Sequence, residues 1–443
     1  MNVILKKIFN GRKRRDLKVI LEGEVKAIRF NGLKLPLFSV SQICNLLQIQ
    51  IPQKYIGFKE YYLSETPLFD VLENKELLCS KIIASKPLSK EKVEKIKDNA
   101  GKFKSFYYQA FGLQHTDEEL LEMYIQWRYT FKPLFGVSHH YYFSFEFYKK
   151  TIEEAAAYLN KKDKQRIWRA STVHSYADYL RDKVLFNQTF KKHVKREFLS
   201  MKDATFEEFQ IFISNHPAFF GKPRGGTMGI DSGYMTAKEN LEAQFEELKA
   251  EDFIVEQIQK QHHVLAEFNS DSLNTIRVNT LLTLDNEPII MHANLKCGRK
   301  GRPMDNLSNG GMAVTIDIET GVICTSAVDT YNYRYEIHPD SKKKFEGTQI
   351  PNWDKLVAVC KESAMKMPYI RTIGWDVAVD EDGEIELIEG NTRASVLLMQ
   401  KPDQIGRKYL YEKYIGLFEN SNWKEELLAQ DPPVLPKLPK NDS

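Results

Sequence analysis

The stretch 374–391, GWDVAVDEDGEIELIEGN, constrains the fold of this chain more than any other feature. Two apolar runs flank Asp382-Gly383, a dipeptide that favours a two-residue type I′ turn between antiparallel strands. In the register set by such a turn, Asp376 lies directly opposite Glu389, with β-carbons about 5 Å apart. The sequence therefore predicts a hairpin with two facing carboxylates.

Asn391 lies two residues beyond Glu389 and so shares its face of the strand. Two carboxylates held this close repel each other, and a hard divalent cation is a natural partner for them. Magnesium commonly takes one or two protein carboxylates and completes its octahedron with nucleotide phosphates and water. The hairpin indicates a metal–phosphate site; an acidic, solvent-exposed hairpin face without any ligand is the alternative.

A second segment, 219–229, joins a short apolar strand to Lys222 and a loop with three glycines. Glycine loops allow backbone N–H groups to approach phosphate oxygens, and Lys222 would add a positive charge. The loop has neither the GxxxxGK[ST] spacing of a P-loop nor the GxGxxG dinucleotide fingerprint. A phosphate-binding loop and an ordinary turn between edge strands both remain open here.

A third segment, 252–258 (DFIVEQI), has the composition of a buried strand. The end of such a strand beside a pocket can pair its backbone with the edge of an adenine ring, and Glu256 can accept from the amino group. The alternative is a core strand with a solvated end.

The spacing of these segments favours an α+β fold dominated by antiparallel sheet. From about residue 219, short β-branched or aromatic runs alternate with turns and two helical stretches, 238–249 and 353–367. Regular strand–helix alternation, typical of a doubly wound fold, is absent from the sequence. Residues 1–135 are predicted to be mainly helical, with short strands within 17–40, and the Pro-rich end after 431 is predicted to be disordered.

Composition excludes several classes of protein. A net charge of +3 over 443 residues, without a basic stripe, argues against a nucleic-acid partner. Five scattered cysteines without a CxxC pair fit a reducing, cytoplasmic location. No apolar run approaches the roughly 20 residues of a transmembrane helix. The start, MNVILKKIFNGRKRR, is a solvated basic beginning or, as the less favoured alternative, a membrane-surface segment.

In their order along the chain, these motifs resemble those of the ATP-grasp superfamily. Their residues are most similar to those of its sugar-transfer-associated branch. The resemblance covers roughly residues 140 to 415 and is carried by the segments 180–183 (LRDK), 221–223 (GKP), 254–256 (IVE), 272–277 (SLNTIR), 305–306 (DN), 310–311 (GG), 374–376 (GWD) and 388–391 (IEGN).

The resemblance implies an ATP-grasp fold, in which two α+β subdomains sandwich the nucleotide, with ATP and Mg²⁺ as cofactors. It implies nucleotide contacts from Lys183, Lys222, Gly226, Thr227, Gly229, Glu256, Gln257, Ile258 and, for the ribose, His263. It implies magnesium ligands at Asp376, Glu389 and Asn391, catalytic roles for Lys222, Arg277 and Arg299, and substrate contacts from Asp305, Asn306 and Arg393. Arg393 is a departure: it lies in the segment 392–395 (TRAS), where relatives often carry proline-glycine.

On this basis the chain divides into a mainly helical region (1–135), a helical lead-in with Lys183 (136–200), a glycine-loop subdomain (201–262), a metal-binding subdomain (263–418) and a tail (419–443). The resemblance implies an ATP-dependent ligase that activates a carboxylate as an acyl phosphate and joins it to an amine, on a small-molecule, glycan or peptide acceptor. A kinase that phosphorylates a hydroxyl and a non-catalytic nucleotide-binding scaffold are the alternatives.

Overall fold

A computed structural model describes residues 28–30 and 33–35, scattered positions between 101 and 127, and residues 131–225, 231–430 and 435–436. Contacts between residues divide the chain into two compact units, Met1–Lys161 and Lys162–Ser443. The candidate site residues all fall in the second unit.

In the first unit, strands β1 (Ile28–Phe30) and β2 (Leu33–Leu35) pair antiparallel, as expected for 17–40. Three short helices follow: α1 (Lys132–Phe135), α2 (His139–Ser144) and α3 (Ile152–Ala156). Thr151 and Glu154 cap α3 with a reciprocal capping box. The mainly helical character predicted for 1–135 rests largely on residues outside those described.

The second unit contains a small four-stranded sheet, in the order β3-β6-β4-β5. Its strands are β3 (Phe198–Ser200), β4 (Ala218–Pro223), β5 (Gly233–Thr236) and β6 (Phe253–Gln257). Helices α7 (Phe206–Asn215) and α8 (Leu241–Ala250) bury aromatic side chains against one face, together with Phe219 and Val255. Because side chains alternate along a strand, Lys222 and Glu256 lie on the opposite face.

A seven-stranded sheet forms the rest of the core, in the order β11-β10-β9-β8-β7-β12-β13. Its strands are β7 (Ile276–Leu282), β8 (Pro288–Cys297), β9 (Met312–Ile316), β10 (Ala327–Asp329), β11 (Arg334–Tyr335), β12 (Thr372–Val379) and β13 (Ile385–Asn391). Helix α10 (Trp353–Lys366) packs across β7 and β8 through an apolar stripe that includes Leu356 and Cys360.

The other helices of the second unit surround these sheets. They are α4 (Lys161–Ser171), α5 (Asp178–Arg181), α6 (Lys183–Thr189), α9 (His263–Ala266), α11 (Val396–Gln400), α12 (Lys408–Glu419) and α13 (Trp423–Leu428). Every strand pairing of the described residues is antiparallel. The predicted α+β class, dominated by antiparallel sheet, is confirmed.

The hairpin of β12 and β13 confirms one prediction and corrects another. Asp376 faces Glu389, as predicted. The turn is not the expected two-residue type I′ turn, because Asp380 pairs with Glu384 across a three-residue loop that ends at Gly383 with φ +81°. This is the three-residue loop with a left-handed glycine that often joins antiparallel strands. A bulge next to Asp376 then shifts the register by one residue and restores the predicted carboxylate pair.

Candidate active site

One row of the large sheet brings five polar side chains into register on a single face. Its members come from five adjacent strands: Thr315, Asn294, Arg277, Asp376 and Glu389. The α10 helix covers apolar residues of the sheet, so this polar row belongs to the other face. Four of the five residues are buried, which means that each must find partners within the protein.

Asp376 is held by two cations. The Arg277 guanidinium donates two hydrogen bonds to it, from Nε to Oδ1 at 2.7 Å and from Nη2 to Oδ2 at 2.8 Å. The ammonium of Lys296, on β8, lies 3.3 Å from Oδ2. Burial opposes ionisation, but these two cations outweigh it and hold the pKa of Asp376 far below its usual range. Asp376 is therefore a charged, fixed carboxylate.

Glu389 is less well compensated. Its nearest cation in the row is Arg277, with Nη2 4.0 Å from Oε1. Loss of surrounding water and the negative charge of Asp376 raise the pKa of Glu389. The charge of Asp376 is the cause that the geometry supports best, because the Glu389 side chain is 45% exposed. Asn391 donates from Nδ2 to Glu389 Oε1 at 2.9 Å and orients it.

These residues fit a magnesium ion. Asp376, Glu389 and Asn391 offer oxygen donors, which is the donor type that Mg²⁺ prefers. Glu389 is the accessible donor with spare negative charge, whereas both oxygens of Asp376 already accept from Arg277 or Lys296. Glu389 and Asn391 would therefore be the principal protein ligands, and Asp376 would share its charge between metal and cations.

Two glycines of the GWD and EGN motifs have a packing explanation. A β-carbon at Gly374 would lie 2.7 Å from the β-carbon of Ala394 and 3.2 Å from Cδ of Arg277. A β-carbon at Gly390 would lie 2.9 Å from a methyl group of Leu180. Only glycine allows the neighbouring segments to approach the hairpin of β12 and β13 this closely. We call this hairpin, which carries Asp376, Glu389 and Asn391, the metal hairpin.

The small sheet contributes a buried ion cluster around Glu256. Lys222 Nζ lies 2.6 Å from Oε2, Arg196 Nε lies 3.1 Å from the same oxygen, and Asn187 Nδ2 donates to Oε1 at 3.1 Å. Arg196 also donates from Nη1 to Glu386 on β13 at 2.7 Å. Arg196 thus ties the small sheet to the metal hairpin of the large sheet.

Charge sharing in this cluster affects the pKa of both members of the Lys222–Glu256 pair. Burial lowers the pKa of Lys222 in spite of the nearby Glu256 carboxylate. Burial would raise the pKa of Glu256, but Arg196 and Lys222 together lower it to about 2. The carboxylate predicted to meet adenine is therefore ionised and already bonded to three side chains.

Lys183 is the first residue of α6, directly after Asp182, which caps the helix by accepting from two backbone N–H groups. Its ammonium donates to the carbonyls of Pro223 and Arg224, at 2.8 and 3.1 Å, next to Lys222 in the chain. Burial and the charge of Lys222 lower the pKa of Lys183 to about 8. The two predicted phosphate-binding lysines are therefore close neighbours.

The other predicted nucleotide residues fall into two groups. Gly226, Thr227 and Gly229 lie outside the described residues, and their phosphate contact stays a prediction. Gln257 ends β6, with Ile258 directly after it, at the predicted adenine edge.

His263 follows Gln257 by six residues in the chain. It is exposed at the start of α9, and the preceding His262 donates its backbone N–H to the Val379 carbonyl. Val379 is three residues along β12 from Asp376, or about 10 Å. His263 is thus near the turn end of the hairpin, and its ribose role stays a prediction.

The predicted substrate residues lie on two sides of the metal hairpin. Asp305 is buried, accepts from the backbone N–H and hydroxyl of Thr275 at 2.9 and 2.5 Å, and lies 3.5 Å from Lys296. Asn306 accepts from Lys296 at 3.5 Å. Arg393 is exposed and stacks on the indole of Trp168, with 3.6 Å between Cζ and the ring centroid.

Arg299, predicted to be catalytic, is not in the ion cluster of Asp376. It pairs with Asp340, with Nε 2.8 Å from Oδ2 and Nη2 3.3 Å from Oδ1. It lines a cleft beside the large sheet, and the loop that follows Asp305 borders this cleft.

Sequence reasoning missed Arg196, Lys296 and Asn187. Arg196 and Lys296 are charged residues that are at least 95% buried, and each lies between two carboxylates. Their partners are 9 to 192 positions away in the chain, so no local pattern indicates these contacts. A charged residue inside an apolar strand, as Lys296 is in MHANLKC, was the one available signal.

Comparison with known proteins agrees with this geometry. Residues 237–411 match the family described as sugar-transfer associated ATP-grasp. This confirms the predicted resemblance to that family over these residues. They include Arg277, Asp376 and Glu389, whereas Lys183 and Lys222 precede them.

Several solved structures are similar in part. An N5-carboxyaminoimidazole ribonucleotide synthetase, purK, in complex with ADP is 10% identical, with a TM-score of 0.30 and coverage of 49% of this chain and 46% of that chain. The ATP-grasp ligase PsnB, complexed with a phosphomimetic variant of its minimal precursor, Mg and ADP, is 14% identical, with a TM-score of 0.36 and coverage of 57% and 62%.

An L-amino acid ligase from Bacillus licheniformis is 12% identical, with a TM-score of 0.33 and coverage of 54% of this chain and 48% of that chain. The chain thus spans about half to two thirds of the length of these three structures. No curated protein matches the sequence. Within the described part of the chain, helices of the length and apolarity needed to cross a membrane do not occur.

Proposed function

We propose that this protein is an ATP-dependent ligase of the ATP-grasp type. The observation that carries the proposal is that two lysines at the small sheet, Lys183 and Lys222, converge with the carboxylates of the large sheet. Leu180, three residues before Lys183, packs against Gly390, next to Glu389. Arg196 joins Glu256, the partner of Lys222, to Glu386 on the same strand β13. Two cations and an under-compensated carboxylate within reach of one another suit a metal-bound triphosphate.

In this proposal, Lys183 and Lys222 hold the phosphates of ATP. Glu256 holds the Lys222 ammonium, with 2.6 Å between Oε2 and Nζ, and Arg196 in turn holds Glu256. The exposed backbone after Gln257 meets the adenine edge, and Gly226, Thr227 and Gly229 cover the phosphates. A positioned ammonium needs little reorganisation when phosphate arrives, which is the main demand of phosphoryl transfer.

Glu389 and Asn391, with Asp376, would hold Mg²⁺, which would neutralise charge on the phosphates. Arg277 would remain on Asp376 and stabilise negative charge that develops on the transferred phosphoryl group. The reaction would begin with attack of a substrate carboxylate oxygen on the terminal phosphorus, with ADP leaving. An amine would then attack the acyl phosphate carbon, with phosphate leaving and a proton passing to solvent.

The predicted acceptor is a small molecule, glycan or peptide, and the family description favours a role in glycan assembly. A cytoplasmic location agrees with the demand for ATP and with the three free cysteines of the described residues, the buried Cys297 and Cys360 and the exposed Cys324.

The test is a matrix of carboxylates and amines incubated with the protein and Mg-ATP. Release of ADP and of phosphate is measured separately, and new products are identified by mass spectrometry. The proposal expects one pair to yield equal amounts of ADP, phosphate and an amide. ADP without phosphate, together with a phosphorylated hydroxyl compound, would replace the ligase with a kinase; nucleotide binding without turnover on any pair would favour the scaffold.

A pair of variants shows whether the proposed site causes any turnover. Lys222→Met removes the buried ammonium beside Glu256. Lys238→Met removes an exposed lysine that pairs with Glu247 at 2.5 Å on the same subdomain. Turnover should be lost in the first variant and kept in the second.

A further inference from the structure

A recess lies at the β10 end of the large sheet, and the loop that follows Asp305 forms part of its wall. Its volume is about 430 Å³, within the range of small-molecule sites. Three cationic residues line it, Arg299, Lys300 and Arg302, together with the hydroxyl groups of Ser308 and Tyr331. We call this recess the basic cleft.

The two acidic residues of the basic cleft are occupied. Asp340 accepts from both arms of Arg299 and from the backbone N–H of Lys300 at 3.0 Å. These contacts lower the pKa of Asp340 to about 2, Arg299 being the largest cause.

Asp329 is engaged in the same way. It is buried, and it accepts from the backbone N–H groups of Tyr331 and Tyr333, at 2.8 and 3.0 Å, and from the Tyr335 hydroxyl at 3.1 Å. Both acids therefore shape the loops around the cleft instead of offering a negative site to a ligand.

Arg299 pairs with Asp340, so Lys300 and Arg302 supply the remaining positive charge; with Asp329 counted, the five charged side chains carry a formal net charge of +1. Arg302 donates from Nη1 to the carbonyl of Asn309 at 2.6 Å, which fixes the guanidinium and leaves its charge without a carboxylate in that contact. A β-carbon at Gly310 would lie 2.9 Å from the same Nη1, so Arg302 lies flat over this glycine. Lys300 is exposed at the rim. An anion in the cleft would meet the guanidinium of Arg302, which the Asn309 carbonyl orients, and the exposed ammonium of Lys300.

The basic cleft borders the reacting centre through one loop. The turn Leu307–Asn309 and Gly310 form its wall, and Asp305 begins the same loop. A β-carbon at Gly311 would lie 2.2 Å from the Asp305 carbonyl oxygen, so the loop closes tightly on itself. The Asp305 side chain reaches Lys296 at 3.5 Å, and Lys296 reaches Asp376 at 3.3 Å.

We infer that the basic cleft binds an anionic group, a carboxylate or a phosphate, of the acceptor that receives the activated carboxylate. This inference rests on the proposed ligase function and adds the charge of its acceptor. Lys300 and Arg302 supply the affinity, and the loop from Asp305 to Gly311 links the cleft to Asp376 through the contacts of Lys296 with Asp305 and Asp376.

The test uses glucuronate, glucose 6-phosphate and glucose as probes, each titrated against the full chain by ligand-observed NMR with Mg-AMPPNP present. The two anions distinguish carboxylate from phosphate as the recognised group, and glucose is the neutral reference. The main variant is Lys300→Gln/Arg302→Gln. Lys300→Glu is a second variant, at an exposed position where folding is not at risk. Lys202→Gln/Lys344→Gln removes two exposed lysines that do not line the cleft and serves as the matched control.

For the wild type, at least one anion should bind about tenfold more tightly than glucose, and this preference should disappear in both cleft variants but not in the control. An anion preference that is absent in the wild type, or that survives in the cleft variants, overturns the inference. Thermal stabilisation by Mg-AMPPNP, measured on the same proteins, should be equal in all of them. Its absence in the wild type would defeat the proposed function itself, whatever the anions do.

Discussion

Arg196 offers the most direct test of the ion cluster that joins the two sheets. It is 4% exposed and contacts Glu256 at 3.1 Å, Glu386 at 2.7 Å and the Leu387 carbonyl at 2.9 Å. Substitution by methionine keeps the volume but leaves Glu386 buried without its cation. Glu256 keeps only Lys222 and Asn187.

Removal of one partner of a buried pair costs about 3–5 kcal/mol. For a unit the size of Lys162–Ser443, the entropy of unfolding is about 0.6 kcal/mol/K, so Arg196→Met should lower the Tm by about 5–8 °C. The measurement is thermal unfolding followed by circular dichroism at neutral pH. Arg196→Met/Glu386→Gln should recover part of the loss, because the second substitution removes the stranded charge.

Arg166→Met is the matched control. Arg166 also grips a carboxylate with both arms, Glu419 at 2.8 and 2.6 Å, but its side chain is 45% exposed. An exposed pair contributes about 0–1 kcal/mol, so the Tm should change by less than about 2 °C. Equal Tm values for Arg196→Met and Arg166→Met would refute the reasoning that burial of the Arg196 cluster makes it structurally essential.

Three further outcomes follow from the geometry of the site. The Kd of Mg-AMPPNP should be constant below about pH 7 and rise as pH increases through about 8. Burial and Lys222 lower the pKa of Lys183 to about 8, so the protonated form that binds phosphate is lost there. Isothermal titration should show proton uptake on binding, and Lys183→Arg should remove the pH dependence up to about pH 10. Glu389→Gln should keep or raise the Tm of the ligand-free protein, because it removes repulsion with Asp376. Asp376→Asn should lower the Tm, because Arg277 would keep only Glu389 at 4.0 Å and Lys296 only Asp305 at 3.5 Å; the reverse order would contradict the charge assignment. Gly390→Ala should lower the free energy of unfolding, measured in urea, by about 1–3 kcal/mol because its β-carbon would contact Leu180. Gly416→Ala, in α12 with open space around its β-carbon, should leave the free energy of unfolding unchanged or raise it by up to about 1 kcal/mol.

The metal hairpin shows what local sequence can predict. Alternation and the Asp382-Gly383 signal were enough to place Asp376 opposite Glu389. They were insufficient for the turn, because a three-residue loop and a bulge change the register twice and the two changes cancel at this pair. A pairing prediction can therefore be correct although its stated mechanism is wrong.

The ion clusters show what local sequence cannot predict. The role of Arg196 depends on Glu256, 60 residues later, and Glu386, 190 residues later. Lys296 acquires its role from Asp305 and Asp376, which come from a loop and a different strand. Such contacts follow from the strand order of the folded sheets, which the periodicity of single segments does not encode.

We propose one Mg-nucleotide site formed by Lys183, Lys222, Asp376, Glu389 and Asn391. The most direct measurement compares thermal stabilisation by AMPPNP, with and without magnesium, in the wild type and in Asp376→Asn/Glu389→Gln. A ligand at 100 times its Kd stabilises the folded state by about 2.7 kcal/mol. We predict a magnesium-dependent rise in the wild-type Tm that the double variant loses. A magnesium-dependent rise that the double variant keeps, or a wild type that does not respond to nucleotide, would contradict the account.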